Sequence, residues 1–239
     1  MRLDKYLVEE GYYESRNRAN DAIKAGLVTM DGKKPKASAK VDENTVVEVK
    51  DTKFYVSRAA RKLENFLAEH GVDMTGKCAL DIGSSTGGFA QIVLENAVES
   101  LICVDVGSEQ LHISLRDNSK VTLHENTDIR DFQDEDGFEL ITCDVSFISI
   151  LKITDDIDGL ANKDTDIIIL YKPQFEVGKD VKRDSKGVVQ DVDAIARRKE
   201  AFEAEAKKLG WDEQYQSESK VTGKEGNQEY LYHFVKIRN

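Results

Sequence analysis

The stretch Cys78-Ala79-Leu80-Asp81-Ile82-Gly83-Ser84-Ser85-Thr86-Gly87-Gly88-Phe89 reads as a buried strand, a glycine-containing turn and the start of a helix. An apolar run of strand length that ends in such a turn is the opening unit of a doubly wound sheet, and the backbone there can approach a ligand because side chains are absent. The same alternation continues outward. Residues 101–105, 121–124, 140–144 and 166–171 read as strands, with helices running to about 96, near 110–116 and from about 147. Apolar runs of four to six residues separated by helical segments predict an α/β, Rossmann-like parallel sheet with helices on both faces. A long amphipathic helix over 192–209 follows, and then two strands, 212–219 and 229–237, whose short connection predicts an antiparallel terminal pair.

The turn itself discriminates between ligands. Asp105 lies 22 residues past Gly83, at the end of the next strand, where a carboxylate can accept hydrogen bonds from both hydroxyls of an adenosine ribose. A dinucleotide fingerprint would need G-x-G-x-x-G, but Gly83 is followed by Ser84, Ser85 and Thr86 before Gly87-Gly88-Phe89. No Gly-Lys-Ser/Thr closes a P-loop either. Asp81, just before the turn, would repel a pyrophosphate yet can meet the cationic amino-acid end of S-adenosylmethionine. A methyl-donor cofactor is therefore favoured, with a dinucleotide site and a purely structural turn both open on this motif alone. Asp128, after the third strand, stands where an adenine amino group could be read, or is a solvated loop carboxylate beside Arg130.

Composition sets the frame around this site. The chain has 239 residues, 40% of them hydrophobic and 33% charged with only 2 Pro, which is enough for one large domain and a small one with real cores. Met1-Arg2-Leu3-Asp4-Lys5 leads into no apolar signal region, and no stretch reaches the roughly 18 apolar residues of a membrane span, so the cytosol is the expected location. Cys78, Cys103 and Cys143 each sit in an apolar run and read as free core thiols; the four histidines are scattered, and no metal is expected. A net charge of -11 argues against a nucleic-acid partner until its distribution is counted. Residues 1–62 hold 14 Lys and Arg against 10 Asp and Glu, net +4, and the remainder hold 20 against 35, net -15. This is the pattern of a basic arm on an acidic body.

Residues 1–50 read as a compact α+β unit. Leu3, Leu7 and Val8 share one helical face; after a turn around Gly11, Ala19, Ala22 and Ile23 share a second, which Gly26 stops. Residues 27–30 form a strand that runs into a hairpin-type turn at Asp31-Gly32, and 45–49 close the unit as a half-buried strand. Residues 51–62 connect to, and begin, the first helix of the larger domain, residues 63–239, with Ser57 as N-cap. Arg58, Arg61 and Lys62 crowd that helix start against the macrodipole, which marks a site.

Two further motifs end strands at the edge where ligands bind in such sheets: Asp144-Val145-Ser146-Phe147 and Lys172-Pro173-Gln174-Phe175-Glu176. A lysine after Ile-Ile-Ile-Leu-Tyr is costly unless paired or functional, and Pro173 holds it extended. An ion pair with Asp144 and a catalytic role both fit.

At this point the chain resembles the TlyA or hemolysin-A family, through Val56-Ser-Arg-Ala-Ala-Arg-Lys-Leu63, Asp81-x-Gly-x-Ser-Thr-Gly-Gly-Phe89, Cys143-Asp-Val-Ser-Phe-Ile-Ser149, Lys172-Pro-Gln-Phe-Glu176 and Gly226-Asn-Gln-Glu-Tyr230. It departs from that pattern at Tyr55, Ala59 and Ser108-Glu109. The resemblance implies an S4 RNA-binding domain joined to an FtsJ-like 2'-O-methyltransferase that uses S-adenosylmethionine and acts on ribosomal RNA or a ribosomal subunit, at a cytidine. It also implies a catalytic tetrad of Lys62, Asp144, Lys172 and Glu229. Chemistry agrees, because a ribose hydroxyl is a weak nucleophile that needs a base and alignment. Lys172 serves as that base once unprotonated, a state favoured by burial, a second lysine and a cationic cofactor. On the small domain Arg2, Arg16, Arg18, Lys33 and Lys34, with Arg58 beyond it, are the expected phosphate contacts. A chain that starts at the S4 motif and ends just after the last strand resembles members that act on the large subunit alone. A membrane-active hemolysin, as the family name suggests, and a non-catalytic RNA-binding protein are the competing functions. An acidic body without a membrane span opposes the first, and four retained tetrad positions oppose the second.

Overall fold

The computed structural model describes residues 1–9, 12–42, 44–50, 53 and 55–238, and the chain divides into two units, Met1–Phe54 and Tyr55–Asn239. In the first, α1 (Leu3–Glu9) and α2 (Arg16–Ala25) pack over the antiparallel strands β1 (Val28–Met30) and β2 (Val47–Val49). Ser15 is extended and its side chain accepts the N–H of Arg18, while Gly26 takes the left-handed conformation at φ 78° and closes α2 on Ala22 and Ile23. Both ends of α2 are thus written in its flanking residues. Asp31 and Gly32, at φ 51° and 70°, make the hairpin turn, with Met30 and Lys33 exchanging backbone hydrogen bonds of 2.9 and 3.0 Å. Leu3, Leu7, Ala19, Ala22, Ile23, Val28 and Val41 form the core. The expected turn around Gly11 lies outside the described residues. The second strand is shorter than its sequence suggests, because Asp42 and Asp31 take Thr45 and Val46 into a turn.

The second unit opens with α3 (Arg58–His70) and then alternates β3 (Cys78–Ile82), α4 (Gly88–Glu95), β4 (Ser100–Val104), α5 (Ile113–Arg116), β5 (Val121–His124), β6 (Phe138–Cys143), α6 (Thr154–Leu160), β7 (Ala161–Tyr171), α7 (Pro173–Glu176) and α8 (Val192–Lys208), ending in β8 (Trp211–Glu218) and β9 (Tyr230–Lys236). The sheet order is β5-β4-β3-β6-β7-β9-β8, parallel from β5 through β7. The terminal pair is antiparallel as expected, and β9 inserts between β7 and β8. Their sequences explain the order: Tyr-Leu-Tyr-His-Phe-Val-Lys is buried along nearly its whole length, whereas Trp-Asp-Glu-Gln-Tyr-Gln-Ser-Glu is exposed after its first residue. A charged edge strand also resists unwanted pairing.

Three expectations are corrected. The helix from about 147 is absent; a turn runs to a 3-10 segment at Ile150–Lys152, and α6 begins at Thr154. The buried Glu176 carboxylate accepts Ser149 Oγ at 2.6 Å and the Ile150 N–H at 2.8 Å, which holds that turn open. The helix near 110–116 shrinks to one turn, Gln110 being drawn off to Ser85 Oγ at 3.0 Å. β7 begins at Ala161, five residues early, its polar start pairing across an irregular register between Phe138 and Leu140.

Candidate active site

The ends of β3, β4 and β6 surround a cavity of about 410 Å³ whose wall includes Gly83, Ser85, Asp105, Asp128, Asp144 and Ser146. Gly83 is required by two things at once. Its φ is +76°, and a Cβ there would lie 2.9 Å from the backbone oxygen of Asp144, so the glycine turn and the loop after β6 are in direct contact. Asp105 accepts the N–H groups of Ser85 and Gly107, both at 2.7 Å, one on each oxygen. Each oxygen keeps a lone pair for a ribose hydroxyl. Asp128 is gripped through both oxygens by Arg130, at 2.9 and 2.6 Å, and this holds its carboxyl down at about 2. It lines the cavity as an ionised, already paired acceptor.

The remaining residues of the turn do other work. Asp81 is fully buried, away from the cavity wall; one oxygen accepts Thr142 Oγ1 at 2.7 Å, and burial pushes its carboxyl up to about 7 against the pull of that hydrogen bond. Ser84 is buried and Thr86 exposed. Gly87, at φ +92°, lets Leu111 and Leu115 close over the turn. Gly88 admits the start of α3, since a Cβ would meet Ala60 N at 2.9 Å, and Phe89 is core. Of the ten expected cofactor residues, the structure brings Gly83, Ser85, Asp105 and Asp128 to the cavity.

The four charged residues of the expected tetrad converge. Lys172 Nζ lies 2.5 Å from Asp144 Oδ1 and donates to Ser146 Oγ at 2.9 Å. Lys62, buried on α3, donates to Glu229 Oε2 at 2.5 Å, and Gln174 Nε2 donates to the other Glu229 oxygen at 3.0 Å. Burial pushes the Asp144 carboxyl above the usual carboxylate range, against the pull of Lys172 and then Lys62, with Glu229 close enough to push it further. Two lysine–carboxylate pairs therefore form one electrostatic unit. Ser146 and Gln174 were not singled out from sequence, although both stand inside the motifs that carry Asp144 and Lys172.

An FtsJ-like methyltransferase family model matches residues 55–236, and an S4 domain model matches residues 1–47. The chain belongs to the FtsJ-like methyltransferase family. The FtsJ-like chain is 47% identical over 99% of its length to all of the 23S rRNA (cytidine-2'-O)-methyltransferase TlyA of Campylobacter jejuni. It is 39% identical over 98% of its length to all of Hemolysin A of Brachyspira hyodysenteriae. The 16S/23S rRNA (cytidine-2'-O)-methyltransferase TlyA of Mycobacterium tuberculosis is 37% identical, across 96% of this chain and 88% of that one. Among solved structures, a hemolysin-named protein of Streptococcus thermophilus superposes with a TM-score of 0.74 at 31% identity, covering 100% of this chain and 89% of its own.

The S4 unit places its cations differently from one another. Arg2 and Arg16 both bind Asp4, at 2.9 Å each, and Asp4 is 1% exposed. The Arg2 guanidinium, then Arg16, hold that carboxyl well below the usual range against burial. These two arginines are structural partners first, with about half of each side chain left open. Arg18 is half-buried on α2, Lys34 donates to the Lys24 carbonyl at 2.8 Å, and Lys33 is exposed on the hairpin. In the FtsJ-like unit, Arg58 donates to the Thr222 carbonyl at 3.0 Å. Among the described residues no group of three or more His, Cys, Asp or Glu could hold a metal ion, and no helix is long and apolar enough to cross a membrane.

Proposed function

We propose that this chain transfers a methyl group from S-adenosylmethionine to the 2'-hydroxyl of a cytidine in ribosomal RNA, with large-subunit RNA as the substrate. The observation that carries the reading is the unit formed by Lys172 with Asp144 and Lys62 with Glu229, set beside a cavity that Asp144 also lines. Cytidine in 23S rRNA is named for the relative at 47% identity, and a 16S activity is added only for the one at 37%.

The cavity suits the cofactor in size and chemistry: Asp105 would hold the ribose, and the backbone at Gly83 and Ser85 leaves room for close approach. When bound there, S-adenosylmethionine supplies a methyl carbon activated by a sulfonium. The chain's own residues must orient the hydroxyl and remove its proton. Lys172 accepts that proton, and Asp144 fixes its Nζ and balances the resulting ammonium. Glu229, held by Lys62 and Gln174, keeps the opposite side of the site charged and rigid. Phe147, 92% exposed and 5.1 Å from Phe175, offers an aromatic face to an unstacked base. The test is to incubate purified protein and labelled cofactor with separated ribosomal subunits and their naked RNAs, then map the product by mass spectrometry. A 2'-O-methylcytidine in large-subunit RNA is expected; a methylated base, or label in small-subunit RNA alone, would overturn the proposal.

A further inference from the structure

Lys172 is set back from the cavity: its side chain is 10% exposed, and its Nζ is flanked by Asp144 at 2.5 Å and Ser146 Oγ at 2.9 Å. Ser146, by contrast, is exposed and forms part of the cavity wall. Two groups stand between the open cavity and the buried amine, the Asp144 carboxyl and the Ser146 hydroxyl, and of these the hydroxyl is the one suited to accept one proton while donating another. We infer that Ser146 is a catalytic residue, relaying the proton of the target ribose hydroxyl to Lys172; this rests on the methyl-transfer reading above.

The loop that carries Ser146 is built to hold it in place. Phe147, the next residue, sits at φ +67°, a conformation that bulky side chains adopt only when their surroundings impose it. Those surroundings are identifiable. Upstream, the Asp144 N–H bonds the Ile82 carbonyl at 2.9 Å, and Gly83 packs against the Asp144 backbone. Downstream, Glu176 takes both the Ser149 hydroxyl and the Ile150 N–H. Both ends of the turn are anchored, so Ser146 has little freedom to leave Lys172. A small hydroxyl is also the side chain best able to accept one proton while donating another.

The relay balances. Lys172 enters the step as the free amine, having first lost a proton to solvent, and the bond from its Nζ to Ser146 Oγ reverses: the ribose O–H proton passes to Ser146 Oγ while the proton already on Ser146 passes to Lys172 Nζ. The ribose oxygen bonds to the methyl carbon as the carbon–sulfur bond breaks and its electron pair stays on sulfur. Lysine finishes as an ammonium against Asp144, the serine is regenerated, and the positive charge lost at sulfur reappears at nitrogen.

The experiment compares wild type, Ser146→Ala, Ser146→Thr and Lys172→Ala in full-length protein, by single-turnover methylation of ribosomal RNA, cofactor calorimetry and thermal melting. Expected are a rate loss of about 10- to 100-fold in Ser146→Ala, part of the range for acid–base help, and recovery to within a few-fold in Ser146→Thr. Melting temperature and cofactor affinity stay near wild type in both. In mixed H2O and D2O the wild-type rate should curve with deuterium content, as two moving protons require, and the Ser146→Ala rate should follow a straight line. A wild-type rate in Ser146→Ala, or a loss matched by equal losses of cofactor affinity and melting temperature, overturns the relay while leaving the methyl-transfer reading intact. A wild type that forms no 2'-O-methylribose overturns that reading and the relay with it.

Discussion

Lys62 and Glu229 stand 167 positions apart in the chain and meet at 2.5 Å, with side chains only 9% and 3% exposed. The pair ties α3 to the segment entering β9, so the sheet's last central strand and the helix before its first are joined at the site. Removing one partner of a buried pair leaves an uncompensated charge and costs about 3–5 kcal/mol. Glu229→Ala and Lys62→Ala should each lose stability of that order in denaturant melts. The double variant Lys62→Met with Glu229→Leu should lose much less than the sum, while remaining inactive. Strictly additive losses would mean that the two residues do not depend on each other.

Lys172 and Asp105 should separate chemistry from cofactor binding. Lys172→Ala is expected to lower the methyl-transfer rate by about 10²–10⁴ while cofactor affinity stays within a few-fold. Asp105→Ala should do the reverse, weakening cofactor binding by about 1.5–3 kcal/mol through lost charge-assisted contacts. Calorimetry and single-turnover rates on the same two proteins decide the matter, and a Lys172→Ala protein that turns over normally would remove Lys172 from the base role.

What was legible in the sequence follows the range of the forces involved. The strands β3, β4 and β6 are readable because a strand buried along most of its length must be apolar, and Asp144 and Lys172 stand out as charges ending such runs. Lys62 stands out locally only as one of three cations crowding a helix start, and its pairing with Glu229 rests on family resemblance, since nothing local in either segment announces a partner on the far side of the sheet. The turn after β6 reads as helix in the sequence but is not one, because its conformation depends on Glu176, 26 residues from Ile150, which no local propensity reflects. Arg2 and Arg16 read as phosphate contacts from their charge alone; that both also hold Asp4 is not legible, because only the packed helices bury that carboxylate.

Asp81 carries a penalty that changes with pH. Burial raises its carboxyl from the ordinary 3.8 to about 7, so the folded chain keeps a proton that the unfolded chain loses between those values. Wild-type stability contributed by this group therefore falls as pH rises from about 4 to 7 and stays low above that. Asp81→Asn has no such proton to lose, and its amide oxygen can still accept from Thr142. It should melt above wild type at pH 8, by a ceiling of about 4 kcal/mol, with the difference shrinking toward pH 4. A difference that grows on acidification would reverse the sign and place the carboxylate in an ionised state at neutral pH.

The S4 unit supplies the last prediction, because its cations fall into two kinds that charge reversal should distinguish. Arg16 is one of two guanidinium groups on the buried Asp4, so Arg16→Glu sets a carboxylate beside a carboxylate and must loosen the packing of α1 on α2. Lys33 is exposed on the hairpin, and Lys33→Glu leaves those contacts untouched. Both variants should bind ribosomal RNA more weakly, but for different reasons. Arg16→Glu should lower the melting temperature of the full chain, and much of its binding loss should return on cooling. Lys33→Glu should melt like wild type and reduce the slope of log affinity against log salt by about one, the signature of a single lost phosphate contact. The acidic remainder of the chain, net -15 after residue 62, makes such contacts matter, since on average it repels the RNA backbone. Filter-binding titrations across salt, run beside thermal melts, check both halves; an unchanged salt slope in Lys33→Glu would move the RNA footprint off the hairpin.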